Sequence, residues 1–454
     1  MMKEIIEKQR RYFNTGATFP LAFRIEQLKC LKKAIAAFEP QLFDALQKDL
    51  GKSPFEGYET ELGTLYGEIN FTLKHLNAWA KPKRVATPLM HFPAKSKIYT
   101  EPLGVVLIMS PWNYPLQLTI APLIAAISAG DCAVVKPSRY SPATSAVMGQ
   151  MLNQYFDQEY ISVFQGGSQV NTELLQLKYD HIFFTGSPHV GRIVMEAAAK
   201  NLTPVTLELG GKSPCIIDET ADVALAARRI AWGKLINAGQ TCVAPDYALV
   251  HESIKDEFIK AYIASVKAFY GEDTLHNEEY CKIINEKHFT RLSGLLSSGT
   301  IAFGGKTDTA TRKIEPTVLT DVMPDAPVMQ EEIFGPILPV LTFQSFTETI
   351  DFVKVRQKPL ALYLFTTNTQ RELRVLNEVP FGGGCVNDTV VHLSNPNMHF
   401  GGVGESGMGG YHGKMGFYTF SHQKSVLKKS NLIDIPLRYA PYGSRLSQLK
   451  KLMK

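Results

Sequence analysis

From residue 103 onward, short and almost wholly apolar runs alternate with stretches of helical length, and no other feature narrows the fold so far. The runs are LGVVLIMSP (103–111), CAVVKPS (132–138), ISVFQGG (161–167) and HIFFTGS (181–187). Between and after them come LTIAPLIAAISAG, SPATSAVMGQMLNQYF, NTELLQLK and HVGRIVMEAAAK. A strand with one wet face would alternate apolar and polar residues. These do not, so they belong in a parallel sheet covered by helices on both faces. Gly130 closes one helix, and Ser141 with Pro142 opens the next as N-cap and first-turn residues. Ligands of such sheets sit at the C-terminal ends of the strands.

A second alternation begins near 205 with VTLEL, PCIID, a helix across 221–237, YALVH and the helix ESIKDEFIKAYIASVKAFY. PILPVLTF and a helix across 345–357 extend it. Two α/β units follow, with a boundary near Gly210-Gly211. Residues 1–80 read as helices, with Ile25, Leu28, Leu31, Lys32 and Ile35, then Leu42, Leu46 and Leu50, at helical spacing. Lys81-Pro82 stops them. Residues 83–100 carry Pro88 and Pro93 and end in KSKIYTEP, which suggests a strand or an excursion between the units. A chain of 454 residues has room for two to three such units.

Charge excludes some partners. The net charge of +5 is small for this length and gives no concentrated basic face for nucleic acid. The one local excess is C-terminal: Lys428, Lys429, Arg438, Arg445, Lys450, Lys451 and Lys454 against Asp434. A solvated tail is the ordinary reading, and weak peripheral attraction to an anionic membrane is the sharper one. Six scattered cysteines, with no CxxC pair and no histidine at ligand spacing, argue against a metal site and a disulfide scaffold. MMKEIIEKQRRYFNTG lacks an apolar signal segment, and no apolar run is long enough to span a bilayer. A reduced, cytoplasmic enzyme is expected.

Four segments could carry chemistry. Cys242 lies in NAGQTCVAP, where Gly239, Thr241 and Ala244 leave room for a substrate. A free cysteine is most often a small core hydrophobe; this setting favours a nucleophile. Glu208 ends the apolar strand VTLEL before two glycines. A carboxylate facing a crevice there could be a general base, and an ordinary salt bridge explains it equally well. Asn113, in MSPWNYP, could donate to an oxyanion or simply make a turn. FTGSPHVGR places Gly186 to Gly191 between a strand and a helix, as a phosphate site requires, but its spacing is GxxxxG rather than GxGxxG.

Taken in order, PWNYP, VVKPS, FTGSPHVG, LELGGKSP, GQTCVAPDY, EEIFGPI and FGGVGESGMGGYHG resemble the aldehyde dehydrogenase superfamily along almost the whole chain. The GQTCVAPDY block, YHG and SHQK look most like its class 3 branch of fatty and aromatic aldehyde dehydrogenases. The resemblance implies an α/β fold of the aldehyde dehydrogenase type, with two doubly wound parallel-sheet domains and a small bridging β element. Residues 1–81 and 101–209 would form the NAD(P)-binding domain and 210–395 the catalytic domain. Residues 82–100 and 396–454 would form the bridging piece and tail, and the assembly would be a homodimer.

The resemblance also implies roles. Cys242 would attack the aldehyde, giving a thiohemiacetal and then a thioester. Asn113 would help form the oxyanion hole, and Glu208 would activate the hydrolytic water. Ser110 and Trp112 would line the cofactor cleft, Lys136 would hold adenosine-ribose hydroxyls, and Gly186, Ser187 and Gly191 would lie at the pyrophosphate. Glu332 would bind the nicotinamide ribose, with Phe334 beside it. No metal is implied. Leu393, Phe400 and Tyr66 hint at an apolar substrate channel. The family commonly has Glu where this chain has Arg139, and an Arg there should accept a 2′-phosphate, so NADP should be used well. A CoA-acylating enzyme would generally lack Glu208. A cysteine hydrolase would need a histidine beside Cys242, for which His251 and His412 are the candidates. An inactive binding protein would not need both Cys242 and Glu208.

Overall fold

The computed structural model describes residues 2–453. The three-layer arrangement expected from the apolar runs is present twice. One sheet is built from β3 (Val105–Met109), β4 (Cys132–Lys136), β5 (Ile161–Val163), β6 (His181–Thr185) and β7 (Val205–Glu208), after the strands β1 (Lys83–Val85) and β2 (Ala94–Pro102). The second contains β8 (Pro214–Ile217), β9 (Tyr247–His251) and β10 (Thr300–Phe303). A small hairpin of β11 (Thr307–Asp308) and β12 (Lys313–Ile314) precedes its remaining strands, β13 (Thr317–Thr320), β14 (Ile337–Phe343), β15 (Ala361–Phe365) and β16 (Gly383–Val386). The chain closes with β17 (Gly407–Met408) and β18 (Ser421–Lys429).

The first sheet runs β17-β7-β6-β3-β4-β5 and is parallel except for β17. Its strand order reverses between β3 and β6, the switch point at which open α/β sheets open a crevice. The second runs β10-β13-β14-β9-β8-β15-β16 and is parallel except for β10. Every residue of β3, β4 and β6 is buried, as a two-sided core requires. The third sheet, β1-β2-β18, is antiparallel, pairs Ser421 with Pro102 through Lys429 with Ala94, and leaves much of β18 exposed.

Three features differ from the sequence reading in detail. The run VTLEL, read there as opening the second alternation, pairs with β6 and closes the first sheet. Within 396–454, Ser421–Lys429 joins the bridging sheet, while Gly407–Met408 adds to β7. The helix Pro142–Tyr155 has Ser141 in the N-cap position, but that side chain makes no cap bond. Asp49, from the helix Leu21–Leu50, supplies the acceptors instead: it takes the N–H groups of Ala143 (3.2 Å) and Thr144 (2.8 Å). Among the described residues no helix is long and apolar enough to cross a membrane.

Candidate active site

The first sheet delivers its residues at the C-terminal ends of its strands. Ser110 follows β3, Lys136 ends β4, Gly186 follows β6 and Glu208 ends β7. The second sheet delivers its residues at the opposite edge. Lys212 precedes β8, Cys242 precedes β9, and Glu332 and Phe334 precede β14. The candidate residues therefore gather at strand C-termini in one sheet and at strand N-termini in the other.

The turn before Cys242 is unusually bent. Asn237 (φ 53°), Ala238 (φ 50°) and Gly239 (φ 75°) are successive left-handed residues. Only glycine fits at 239, because a Cβ there would strike the carbonyl of Gly335. This turn brings Gln240 under Asn113, whose amide Nδ2 donates to the Gln240 carbonyl at 3.0 Å. The amide is 2% exposed. Cys242 itself lies deep yet is partly open to solvent, unlike the fully buried Cys132, Cys215 and Cys281. Burial pushes its thiol pKa up, and the carboxylates of Glu332 and Glu208 push it further, while the N–H groups of Cys242 and Val243 favour the thiolate. Both carboxylates are thus electrostatic neighbours of the sulfur.

Glu208 is 2% exposed, and neither of its oxygens has a hydrogen-bond partner. Burial alone pushes its pKa well above the usual carboxylate range. The salt-bridge reading of Glu208 is therefore absent from this structure. Glu332 is also raised, to about 8, by burial and by Asp246. Its Oε1 has no partner, and its carboxylate lies where a Cβ on Gly210 would stand. The segment carrying it is fixed from beneath. Lys212 pairs with Asp246 and donates to the carbonyls of Val328 and Glu331 (2.9 Å each), while Asp246 accepts from Ile333 N (2.9 Å). Phe334, at φ 54°, meets Trp112 edge-on at 5.3 Å.

On the other side of β3, Ser110 bonds Thr119 (2.7 Å), and Lys136 is buried with its Nζ on the carbonyl of Pro137 (2.7 Å). Burial, then Arg139, lowers the Lys136 pKa to about 8. Ser187 caps the helix Pro188–Ala199, its hydroxyl accepting from Val190 N (3.4 Å). A Cβ at Gly191 would meet Leu209 at 2.8 Å, so glycine lets this helix pack on the sheet. Arg139 is exposed, lies over the Tyr140 ring (5.0 Å) and borders Gly167.

Residues 1–426 match the model of the aldehyde dehydrogenase family. The chain belongs to that family. This aldehyde dehydrogenase is 50% identical to the 4,4'-diaponeurosporen-aldehyde dehydrogenase of Staphylococcus aureus, covering 98% of this chain and 97% of that one. It is 47% identical to the dimeric NADP-preferring aldehyde dehydrogenase of Mus musculus, over 98% and 99% of the two chains. A Staphylococcus aureus AldH solved in a substrate-bound state superposes with a TM-score of 0.98 at 48% identity, over the full length of both chains.

The candidate site of this aldehyde dehydrogenase brings in residues that the sequence did not single out. Tyr114 bonds Thr241 (2.5 Å) beside the cysteine. Tyr411 is a charge neighbour of Glu208 and Cys242 and pairs through its main chain with Phe400. Tyr363 donates to the Val243 carbonyl (2.5 Å). Of the three channel candidates, Phe400 lies beside this group. Leu393 packs against the core, and the Tyr66 hydroxyl is spent on Glu39 (2.9 Å). Neither candidate histidine bonds Cys242: His251 bonds Ser253 (2.8 Å), and His412 faces Glu68 (3.8 Å). Among the described residues no cluster could hold a metal ion.

Proposed function

We propose that the chain oxidises an aldehyde to its carboxylic acid with NAD or NADP, through a thiohemiacetal and a thioester on Cys242. The observation that carries this reading is the buried, unpartnered Glu208, a charge neighbour of Cys242, whose sulfur lies deep in a residue still partly open to solvent. A carboxylate held without partners is costly unless it pairs or acts.

The Cys242 sulfur attacks the aldehyde carbon, forming the C–S bond as the carbonyl becomes an oxyanion. Asn113 Nδ2 and the Cys242 N–H donate to that oxygen. The nicotinamide dinucleotide, when bound, supplies the two-electron oxidant. Glu208 then takes a proton from water, the water adds to the thioester, and the C–S bond breaks to release the acid and restore the thiol.

The residues present fit such a cofactor. Ser187 and the N-terminus of Pro188–Ala199 offer donors to phosphate oxygens. Lys136 and Glu332 offer a buried donor and an unpartnered acceptor for ribose hydroxyls. Ser110, Trp112, Gly186, Gly191 and Phe334 shape the cleft between them. Arg139 suits a 2′-phosphate, which favours NADP. We read 1–81 with 101–209 as the cofactor domain, 210–395 as the catalytic domain, and 82–100 with part of 396–454 as the bridge. The β1-β2-β18 sheet leaves Val426 and Leu427 exposed, one on each face, and this open apolar surface supports a homodimer. Six unpaired cysteines fit a reducing cytoplasm. The test is nicotinamide reduction by wild type and Cys242→Ser across aliphatic and aromatic aldehydes; equal rates in both would sink the reading.

A further inference from the structure

Asn113 is held from behind by a buried polar brace whose hub is Asn237. The Asn237 side-chain amide donates twice, to the Asn113 carbonyl (2.8 Å) and to the Gln240 carbonyl (3.1 Å). The latter carbonyl also accepts the Asn113 amide. One side chain thus ties together the main chain of both halves of the oxyanion site. Its own backbone N–H is fixed by Glu56 Oε1 at 2.7 Å. Gln240 is pinned in turn: its Nε2 donates to Asn237 O (3.0 Å) and Lys282 O (3.1 Å), and its Oε1 accepts from Ile284 N (3.0 Å).

A buried ion pair holds Asn113 as well. Lys52 Nζ donates to the same Asn113 carbonyl (3.3 Å) and to Glu61 Oε1 (2.7 Å), and both side chains are fully buried. Glu61 Oε2 accepts from Leu116 N (2.8 Å) and Gln117 N (3.1 Å), so it also starts the helix Gln117–Ala129. Asn237 Oδ1, by contrast, is buried with no partner. The residue is placed for its two donated hydrogens, at the expense of its acceptor.

We propose that Asn237 is a positioning residue for the oxyanion site. It sets the Asn113 main chain against the Gln240–Cys242 turn so that the Asn113 amide meets the oxygen formed on attack by Cys242. The proposal rests on the roles given above to Cys242 and Asn113. Asn237 does not touch the substrate; it acts through Asn113. Backbone conformation and side-chain bonding are separable at this position. Asn237 already sits at φ 53°, ψ 33°, which glycine adopts without strain, so Asn237→Gly removes the amide and keeps the turn.

The test uses the enzyme without cofactor and two reagents for Cys242, each read per titrated Cys242 thiol. Acylation by p-nitrophenyl acetate passes through an oxyanion; alkylation by iodoacetamide does not. Asn237→Gly is expected to slow acylation about tenfold or more and to leave alkylation within about twofold. Asn237→Asp, which keeps the shape but loses both donated hydrogens, is the second variant should the first not fold, and the same split is expected. In an Asn113→Ala background the effect of Asn237→Gly should vanish, because the two act as one unit. An equal fall in both rates, no fall in either, or a full effect in the Asn113→Ala background would overturn the proposal. Wild-type enzyme that is alkylated but never acylated at Cys242 would overturn the parent reading instead.

Discussion

At the scale of single residues, the site divides carboxylates by burial. Glu208 is raised by burial with nothing to lower it, so its basic form is scarce at ordinary carboxylate pH and grows as pH rises. Hydrolysis of the acyl-enzyme should therefore accelerate with pH well above about 4.3, the unperturbed glutamate value. Glu208→Gln should still acylate, but its turnover should fall by about 10²-fold or more and lose that pH limb. Quenched-flow trapping of the acyl-enzyme over a pH series checks both. Arg139→Glu should raise the KM for NADP relative to NAD by about tenfold or more, because a carboxylate repels the 2′-phosphate; initial rates with both cofactors decide this, and an unchanged ratio would mean Arg139 merely turns to solvent. Cys242 and Glu208 were legible because a polar residue stood at the end of an apolar run or among small residues. Asn237, Lys52, Glu56 and Glu61 were not. Their contacts join residues far apart in sequence, such as Glu56 with Asn237, 181 residues away, and no local pattern signals that. Tyr411 was hidden for the same reason: it joins the site only because its segment folds back beside β7.

At the scale of elements, apolar runs predicted the strands well where both faces are buried. YALVH became β9 as read, and Gly130 closes its helix in the left-handed region at φ 100°. Ser141 and Pro142 take the N-cap and first-turn positions as read, but tertiary structure supplies the acceptor that the Ser141 side chain does not. Asp49→Ala should cost about 1 kcal/mol or more, since it removes the acceptor of two N–H groups at the start of Pro142–Tyr155. Ser141→Ala should cost less, since its hydroxyl has no partner. Urea denaturation of both variants tests this, and a larger loss for Ser141→Ala would contradict it. In β6, His181 is kept neutral by burial, its pKa lowered to about 4, and it bonds Thr206 (3.1 Å). Between about 6.5 and 4 the unfolded chain takes up a proton there that the folded chain refuses, so stability is lost as pH falls. The stability of wild type relative to His181→Gln should thus decline from pH 6.5 toward 4; a flat difference would place the histidine in contact with solvent.

At the scale of the whole molecule, the two sheets meet edge to edge in function: one offers strand C-termini, the other strand N-termini. The general rule for open α/β sheets points to strand C-termini, where Ser110, Lys136 and Gly186 stand, and says nothing of Cys242 at a strand N-terminus, which is why the sequence did not foresee this opposition. The proposed homodimer belongs to this scale too. Leu427→Lys, at an exposed position of β18, should shift the sedimentation equilibrium toward the single chain while Cys242 remains titratable. A wild-type chain that sediments as a monomer would remove the dimer. The chemistry itself is tested most directly by rapid-mixing absorbance of nicotinamide reduction in wild type, Cys242→Ser and Glu208→Gln with one good aldehyde. The predicted result is steady reduction in wild type, none in Cys242→Ser, and in Glu208→Gln a single burst near one equivalent per chain followed by a much slower phase. Steady reduction in Cys242→Ser, or wild-type turnover in Glu208→Gln, would contradict it.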